Sequence, residues 1–277
     1  MLRAGLIQLC ASDDPKANLP ITLGFIRQAA HAGAQLVLTP EVTNCISQDR
    51  KRQQSVLSHE DGDKSLTAMQ AAAAEHGIWL LLGSLALKIR DPGGRFANRS
   101  FLISPKGQIV ARYDKIHMFD VRVSEHEFYN ESSGYRPGEQ AVLANTDVAG
   151  IGMTICYDIR FPALYRDLAK AGAQILTVPS AFSPITGAAH WQVLLQARAI
   201  ETGCFVLAPA QSGLHSASAG RPRRTWGHSL AISPWGAVLA DGGTEIGVTM
   251  VDLDLAEVDA ARARIPSLMH DRPIEGP

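Results

Sequence analysis

The sequence predicts an α/β protein in which two β-sheets pack together beneath helices. Three observations support this prediction. Residues 2–82 alternate between apolar runs and helical patterns, which is typical of βαβ units. The later chain adds many short strands divided by turns such as Pro234-Trp235-Gly236. Hydrophobic residues make up 46% of the 277 residues and charged residues 19%, so the chain can bury a large core.

The first half of the chain opens as a strand, a helix and a second strand. Glycines that favour left-handed backbone follow both expected helices, at Gly33 and Gly77. Asp91-Pro92-Gly93-Gly94 marks a turn. The expected elements are, in order, strand 2–9, a helix from about 16 to 33, strand 36–38, an irregular segment 42–60, helix 65–76, strand 78–82, and a hairpin of strands 101–103 and 109–111.

The second half begins with a long loop of mixed polarity over 116–139, a length that in compact proteins is typical of a functional wall or lid. The expected elements after it are a strand from 150 towards 156, helix 162–171, strand 175–178, helix 188–202, strand 205–208, a polar loop 212–226, strands near 229–233, 237–240 and 246–252, and a short helix with a tail. No repeat or low-complexity linker divides the chain. We therefore expect a single domain over 1–277, with a core of about 2–254 and a C-terminal helix and tail over about 255–277.

The charge balance excludes some classes of partner. Lys and Arg number 26 against 27 Asp and Glu, so no overall field favours nucleic acid or an anionic membrane. The one basic cluster, 221–224, is interpreted as a solvated loop, with a carboxylate or phosphate site as the alternative. The first residues read as a strand followed early by polar residues, which predicts no signal peptide and a cytoplasmic protein.

The cysteines and histidines do not show the spacing of metal ligands. The four cysteines contain no C-x-x-C pair, which favours free thiols in a reducing compartment; they are Cys10, Cys45, Cys156 and Cys204. His117, His190 and His228 form no ligand pattern, so core or hydrogen-bonding roles are expected. We predict no metal and no cofactor.

Cys156 has the setting of a nucleophile. It follows an apolar run and precedes a helix that begins near Pro162, so it lies at the turn between strand and helix. A thiol reacts as its thiolate, and an ordinary cysteine is mostly protonated at neutral pH, so neighbours must activate it. Glu41 and Lys115 also follow short apolar runs, and strand ends are where sites of open α/β sheets collect.

These residues stand in motifs that resemble the nitrilase-like carbon-nitrogen hydrolases. Glu41 lies in Pro-Glu, Lys115 in Asp-Lys-Ile-His, and Cys156 in Ile-Cys-Tyr-Asp-Ile-Arg-Phe-Pro. The similarity extends through Ala-Ala-His-Trp at 188–191, Ala-Arg-Ala-Ile-Glu at 197–201 and Trp-Gly-His-Ser at 226–229. The resemblance implies a four-layer αββα sandwich, commonly a homodimer, with a Glu-Lys-Cys triad.

The resemblance also implies roles for these residues. Glu41 takes the thiol proton and returns a proton to the leaving nitrogen, while Lys115 and the backbone amide of Tyr157 stabilise the oxyanion. Glu131 corresponds to a second glutamate that orients substrate or assists the lysine. Considered one at a time, the alternatives are an exposed loop acid for each glutamate, a surface ion pair with Asp114 for Lys115, and a buried small apolar residue for Cys156.

Cys-Tyr-Asp at 156–158 differs from the Cys-Trp-Glu of nitrilases and the Cys-Asn-Asp of carbamoylases, which favours the amidase branch. The implied reaction turns a linear carboxamide into acid and ammonia through a thioester. Segments 179–182, 185–187 and 190–201 look most like deaminated-glutathione amidases, with ω-amidases of α-keto acid amides as the alternative and an idle scaffold as a further one. The residues expected to contact this small-molecule amide are Tyr157, Arg160, Ser180, Thr186 and Arg198.

Overall fold

Two six-stranded β-sheets pack face to face in the computed structural model, which describes residues 1–123, 125 and 127–276. Helices cover the outer surface of each sheet, which confirms the expected αββα layers. The expected loop 116–139 and the expected domain 1–277 include residues 124, 126 and 277, which lie outside the described residues.

The described strands are β1 (Leu2–Gln8), β2 (Leu36–Leu38), β3 (Trp79–Lys88), β4 (Phe96–Ile103), β5 (Ile109–Asp114), β6 (Asp120–Arg122), β7 (Phe128–Asn130), β8 (Val142–Asn145), β9 (Gly150–Met153), β10 (Ile175–Thr177), β11 (Phe205–Ala208), β12 (Ser212–Leu214), β13 (Arg224–Trp226), β14 (Leu230–Ile232), β15 (Val238–Asp241) and β16 (Gly247–Leu253). The described α-helices are α1 (Pro15–His31), α2 (Arg50–Val56), α3 (Lys64–His76), α4 (Pro162–Lys170), α5 (Pro184–Thr202) and α6 (Ala256–Arg264). Short 3₁₀ helices occupy Glu60–Gly62, Glu131–Ser133, Cys156–Arg160 and Ser267–Met269.

Each sheet has three parallel strands at its centre and antiparallel strands at its edges. The first sheet runs β16-β1-β2-β3-β4-β5, with β1, β2 and β3 parallel. The second runs β15-β14-β11-β10-β9-β8, with β9, β10 and β11 parallel. Parallel strands end at the same edge of a sheet, so the segments that follow β2 and β9 emerge on one side of their respective sheets.

Alternating apolar side chains explain how the sheets stack. In β2, Leu36 and Leu38 join the core shared with the second sheet, whereas Val37 packs with residues of α1 and α3. Successive side chains of a strand point to opposite faces, so a strand that is apolar on both faces must be covered on both. The central strands therefore lie in the middle of the four layers.

The helices begin and end where side chains and glycines permit it. Asp14 accepts a hydrogen bond from the backbone N–H of Lys16 at the start of α1, and Asp63 caps α3 in the same way. Gly77 and Gly203 end α3 and α5 with φ of 62° and 60°, values that an L side chain strains to adopt. At the C-terminal end, α6 buries Val258 in the core between the layers.

The polar segments contain more structure than the sequence indicated. Helix α2 lies within 42–60, the β6–β7 hairpin within 116–139 and the β12–β13 hairpin within 212–226; β8 pairs with β9, although no strand was expected there. These short elements show no apolar periodicity of their own. Their formation is therefore decided by packing in the folded protein and not by a local apolar pattern.

One helix and three strands, β3, β4 and β5, are longer than expected. Helix α5 starts at Pro184 rather than near 188, because proline fits the first helical turn. Strand β3 continues through Gly83 to Lys88, whereas the expected strand ended at Leu82. In the described part of the chain, no helix is both long and apolar enough to cross a membrane.

Gly83 marks a point of close backbone approach, and its replacement tests the packing there. A Cβ at Gly83 would lie 2.0 Å from the carbonyl oxygen of Thr39 and 2.6 Å from that of Pro40. Because the neighbouring backbone must shift, Gly83→Ala is expected to lower the free energy of unfolding by about 1–3 kcal/mol or more. Urea unfolding followed by circular dichroism measures this change.

Gly24→Ala is the matched control. Gly24 lies inside α1, and a Cβ there would meet no atom within 4 Å. Alanine is a better helix former, so this variant should gain about 0.5–1 kcal/mol. A Gly83→Ala protein as stable as wild type would contradict the close approach.

Candidate active site

The three residues of the predicted triad meet in one cavity. Glu41 follows β2, Lys115 follows β5, and Cys156 follows β9, so two side chains come from the first sheet and the thiol from the second. All three line a cavity of about 260 Å³, together with Glu131. Residues far apart in the sequence are thus brought together at the strand ends.

Lys115 lies between two carboxylates. Its Nζ donates to Glu41 Oε1 at 2.9 Å and to both Glu131 oxygens at 2.9 and 2.8 Å. The Lys115 side chain is only 2% exposed. A buried ammonium group requires such partners, because removal from water without them costs several kcal/mol.

Further donors hold the two carboxylates. Asn98 donates from Nδ2 to Glu41 Oε1 at 2.9 Å and to Glu131 Oε1 at 3.3 Å. The backbone N–H of Ala181 donates to Glu41 Oε2 at 2.9 Å, and that of Phe119 to Glu131 Oε2 at 2.6 Å. The sequence analysis missed Asn98. Its available signal was an amide side chain that follows Phe96 and Ala97, shortly before the expected strand 101–103.

The surrounding charges decide the protonation of the lysine and its base. Burial alone would lower the pKa of Lys115, but the negative charges of Glu131 and Glu41 raise it well above its ordinary value. Burial alone would raise the pKa of Glu41, but the positive charges of Lys115 and Arg223 lower it. Glu41 is therefore ionised and Lys115 protonated at neutral pH.

Cys156 sits at a strained turn. Its φ of 49° is rare for a residue with a side chain, and Val42, next to Glu41, has φ of 47°. The Cys156 N–H donates to the carbonyl oxygen of Pro179 at 3.0 Å. Burial and the charge of Glu41 raise the pKa of the Cys156 thiol, and Lys115 only partly opposes them. The resting thiol is therefore protonated and lies beside an ionised base.

Asp158 ties the cysteine turn to the segment that carries the lysine. Its fully buried carboxylate accepts from the Tyr113 hydroxyl at 2.6 Å and from the N–H of Ile155 at 2.9 Å. It also accepts from the N–H of His117 at 3.0 Å. Tyr113 and His117 flank Lys115 in the sequence, so one side chain links the end of the second sheet to the end of β5.

The predicted substrate contacts separate into two groups. Tyr157 lines the cavity, whereas Arg160, Ser180, Thr186 and Arg198 are not among its lining residues. The Arg198 guanidinium donates to the carbonyl oxygen of Ile159 and to the Glu201 carboxylate. The Ser180 hydroxyl donates to the carbonyl oxygen of Val178. These two side chains hold backbone and helix in place.

Thr186 and Arg160 also make other contacts. Thr186 donates to the carbonyl oxygen of Ser183 at 3.4 Å. Arg160 packs against two lining residues, with its Cζ 5.9 Å from the Tyr157 ring centroid and 5.7 Å from that of Phe182. Arg223 lines the cavity, although the sequence analysis interpreted 221–224 as a solvated loop.

The acids of the cavity are neutralised by side-chain cations. Across residues 1–123, 125 and 127–276, no group of three His, Cys, Asp or Glu side chains is placed to hold a metal ion. Glu41 and Glu131 share Lys115, and Arg50 and Arg223 add positive charge to the cavity lining. The cavity can therefore stabilise a negative charge that develops on a bound molecule.

Comparison with known proteins places this geometry in a family. The model of the carbon-nitrogen hydrolase family matches residues 3–263. The chain belongs to the carbon-nitrogen hydrolases. A protein of Yersinia enterocolitica named deaminated glutathione amidase is 38% identical over 268 residues, which cover 96% of this chain and 92% of the relative.

Solved structures agree with this assignment. The Caenorhabditis elegans NitFhit protein superposes with a TM-score of 0.88 and 32% identity, over 98% of this chain and 65% of that one. An amidase from Nesterenkonia superposes with a TM-score of 0.77 and 26% identity, over 96% of this chain and 98% of that one. In that structure, acrylamide has added to the active-site cysteine.

Replacing Lys115 tests the buried charge cluster. Lys115→Met leaves two carboxylates without their shared cation, so the free energy of unfolding at neutral pH should fall by about 3–5 kcal/mol. Because Glu41 has a lowered pKa, its stabilising effect is present above the ordinary carboxyl pKa and lost as pH falls through the lowered one. The stability deficit of Lys115→Met relative to wild type should therefore shrink by at least about 1 kcal/mol near pH 4.5, where Glu41 takes up a proton in the variant.

Urea unfolding at neutral pH and near pH 4.5 measures both effects. Lys106→Met, at an exposed lysine of the β4–β5 turn, is the matched control and should change stability by less than about 0.5 kcal/mol at either pH. A deficit of Lys115→Met that is equal at the two pH values would contradict the charge cluster.

Proposed function

We propose that this protein is a cysteine-dependent amidase that acts through a thioester intermediate. The observation that carries the proposal is the placement of a protonated thiol, an ionised carboxylate and a protonated lysine in one buried cavity. Membership of the carbon-nitrogen hydrolase family supports the same reaction class. An idle scaffold would have no need of two strained residues and a buried charge cluster at one site.

In the first half of the reaction, Cys156 Sγ attacks the amide carbonyl while its proton moves to Glu41. The carbonyl oxygen gains negative charge, which Lys115 and the backbone N–H of Tyr157 stabilise. Collapse of the tetrahedral intermediate breaks the carbon-nitrogen bond. The nitrogen takes the proton from Glu41 and leaves, and the acyl group stays on sulfur.

In the second half, Glu41 takes a proton from water as the water oxygen attacks the thioester carbonyl. The carbon-sulfur bond breaks, the acid departs, and Cys156 recovers its proton from Glu41. Because the resting thiol has a raised pKa, proton transfer accompanies substrate attack rather than preceding it. Glu131 keeps Lys115 protonated and fixed in position.

We infer that the substrate is deaminated glutathione, as the name of the Yersinia relative suggests. Both amide nitrogens of that tripeptide analogue are secondary, so hydrolysis releases an amine rather than the ammonia expected from the sequence. The amide nearest the keto acid yields 2-oxoglutarate and cysteinylglycine. Ammonia would be the product only of a primary amide such as α-ketoglutaramate, the ω-amidase alternative.

The two substrates share one acyl group, so the same acyl-enzyme and the same acid product follow from either. We expect kcat/KM for deaminated glutathione to exceed that for α-ketoglutaramate by at least about 10-fold, or about 1.4 kcal/mol of transition-state binding. Release of 2-oxoglutarate measures both reactions in one assay. Equal or reversed rates would assign the protein to the ω-amidases instead.

Cysteine variants identify the nucleophile in the same assay. Cys156→Ala should lose at least about 10³-fold in kcat, because the acyl-enzyme cannot form. Cys10→Ala, which removes an exposed thiol outside the cavity, is the matched control and should keep wild-type rates. Turnover that survives in Cys156→Ala would refute the thioester mechanism.

We further propose that residues 1–277 act as one domain and that two copies form a homodimer. Support for the domain comes from the cavity, which takes residues from both sheets. Support for the dimer comes from an apolar stripe on α5: Ile185, Val193 and Ile200 are all exposed and recur at helical spacing on one face. Free thiols at all four cysteines support a reducing, cytoplasmic location.

Sedimentation velocity tests the dimer. Wild type should sediment at twice the 29.8 kDa chain mass, and Val193→Glu should shift it towards monomer by placing a charge in the stripe. Val110→Glu, at an exposed apolar residue of β5, is the control and should remain dimeric. Wild-type protein that sediments as a monomer would overturn the proposal.

A further inference from the structure

A basic groove continues outward from the active-site cavity. Its lining includes Arg221, Arg223 and Arg224, three of the four residues of the cluster that the sequence placed in a solvated loop. Among the described residues, four line both the groove and the cavity: Gln48, Phe128, Tyr129 and Arg223. A molecule held at Cys156 can therefore extend past Arg223 into the groove.

Arg223 stands at the junction of cavity and groove. It donates from Nη2 to the carbonyl oxygen of Ala181, and its Cζ lies 5.4 Å from the Tyr129 ring centroid. Its Nε is buried and has no hydrogen-bond partner among the described residues. A buried guanidinium donor without a partner is costly, so a bound acceptor at this point would be stabilised.

The groove has a net positive charge along its lining. Three arginines face one acid, Glu127, whose Oε1 already accepts from the Tyr129 hydroxyl at 2.8 Å and from the Ser183 hydroxyl at 2.7 Å. Guanidinium groups match carboxylates in geometry and charge. The groove therefore suits an anion of the carboxylate type.

The position of Arg223 indicates which end of the substrate it meets. Glu41 Oε1 is bound by Lys115, whereas Oε2 is bound by the N–H of Ala181, whose carbonyl oxygen in turn accepts from Arg223. The oxyanion belongs on the Lys115 side. The nitrogen that receives a proton from Glu41 therefore departs on the side of Arg223.

We propose that Arg223, with Arg221 and Arg224 further out, binds a carboxylate carried by the leaving amine. The enzyme then selects secondary amides with an anionic amine portion over primary amides. This inference rests on the proposed amidase activity and explains how the two candidate substrates, which share an acyl group, are told apart. In cysteinylglycine the carboxylate lies two residues from the scissile nitrogen, about 7 Å when extended, beyond the reacting atoms.

The test pairs substrates with variants. The substrates are deaminated glutathione, its C-terminal carboxamide, in which the leaving amine is uncharged, and α-ketoglutaramate. Wild type should turn over the acid with kcat/KM at least about 10-fold above that of the carboxamide, mainly through KM. Rising salt should raise KM for the acid more than KM for the carboxamide, which keeps only the carboxylate of the keto acid.

Arg223→Gln should remove the preference of at least about 10-fold for the acid over the carboxamide, whereas the weaker positive field on Glu41 should lower kcat/KM for both substrates by a common factor. Arg224→Gln, at an exposed groove residue, should lower kcat/KM by about 3-fold, and only for the acid. Arg90→Gln, at an exposed arginine that lines neither cavity nor groove, should leave kcat/KM for both substrates unchanged.

Three results would overturn the inference. The first is equal hydrolysis of the acid and its carboxamide by wild type, which would leave the amidase proposal intact. The second is a fall in kcat/KM by the same factor for all three substrates in both Arg223→Gln and Arg224→Gln, which would make the arginines structural. Failure of wild type to release 2-oxoglutarate from any of the three would overturn the proposed substrate class and, with it, this subsite.

Discussion

The buried ammonium group of Lys115 is the constraint around which the site is arranged. A positive charge with 2% exposure is tolerable only if negative partners are held close, and Glu41 and Glu131 supply them at hydrogen-bond distance. Those carboxylates then need donors of their own, which Asn98 and backbone amides provide. A single buried charge therefore fixes four parts of the chain relative to one another. They are the end of β2, strand β4, the end of β5 and the segment that carries Glu131.

The nucleophile reaches this cluster from the other sheet, so the chemistry depends on how the two sheets meet. Asp158 provides one connection, because it binds Tyr113 of β5 and the turn that carries Cys156. Left-handed backbone at Val42 and Cys156 places strain beside the base and at the thiol. Such strain persists only where surrounding contacts over-determine the geometry, and here they come from both sheets.

The same charges determine what kind of catalyst the cavity can be. Lys115 and Arg223 keep Glu41 ionised, while burial and Glu41 keep the Cys156 thiol protonated. In the resting site the proton is therefore on the Cys156 sulfur and Glu41 is free to accept it. A site with a preformed thiolate would have the cysteine already deprotonated. Arg223 connects this arrangement to the outer groove, since it contacts the loop that binds Glu41 and also lines the path away from it.

The sequence by itself determined the class of fold and the central triad. Apolar periodicity and glycine positions are local, so the sequence predicted β2, β11 and the C-terminal end of α3 correctly, and motifs at strand ends indicated Glu41, Lys115 and Cys156. Only the tertiary structure decided which polar side chains join them. Asn98 and Arg223 reach the cavity, whereas Arg160 and Arg198 make other contacts, because packing between distant segments sets side-chain proximity and no local pattern records it.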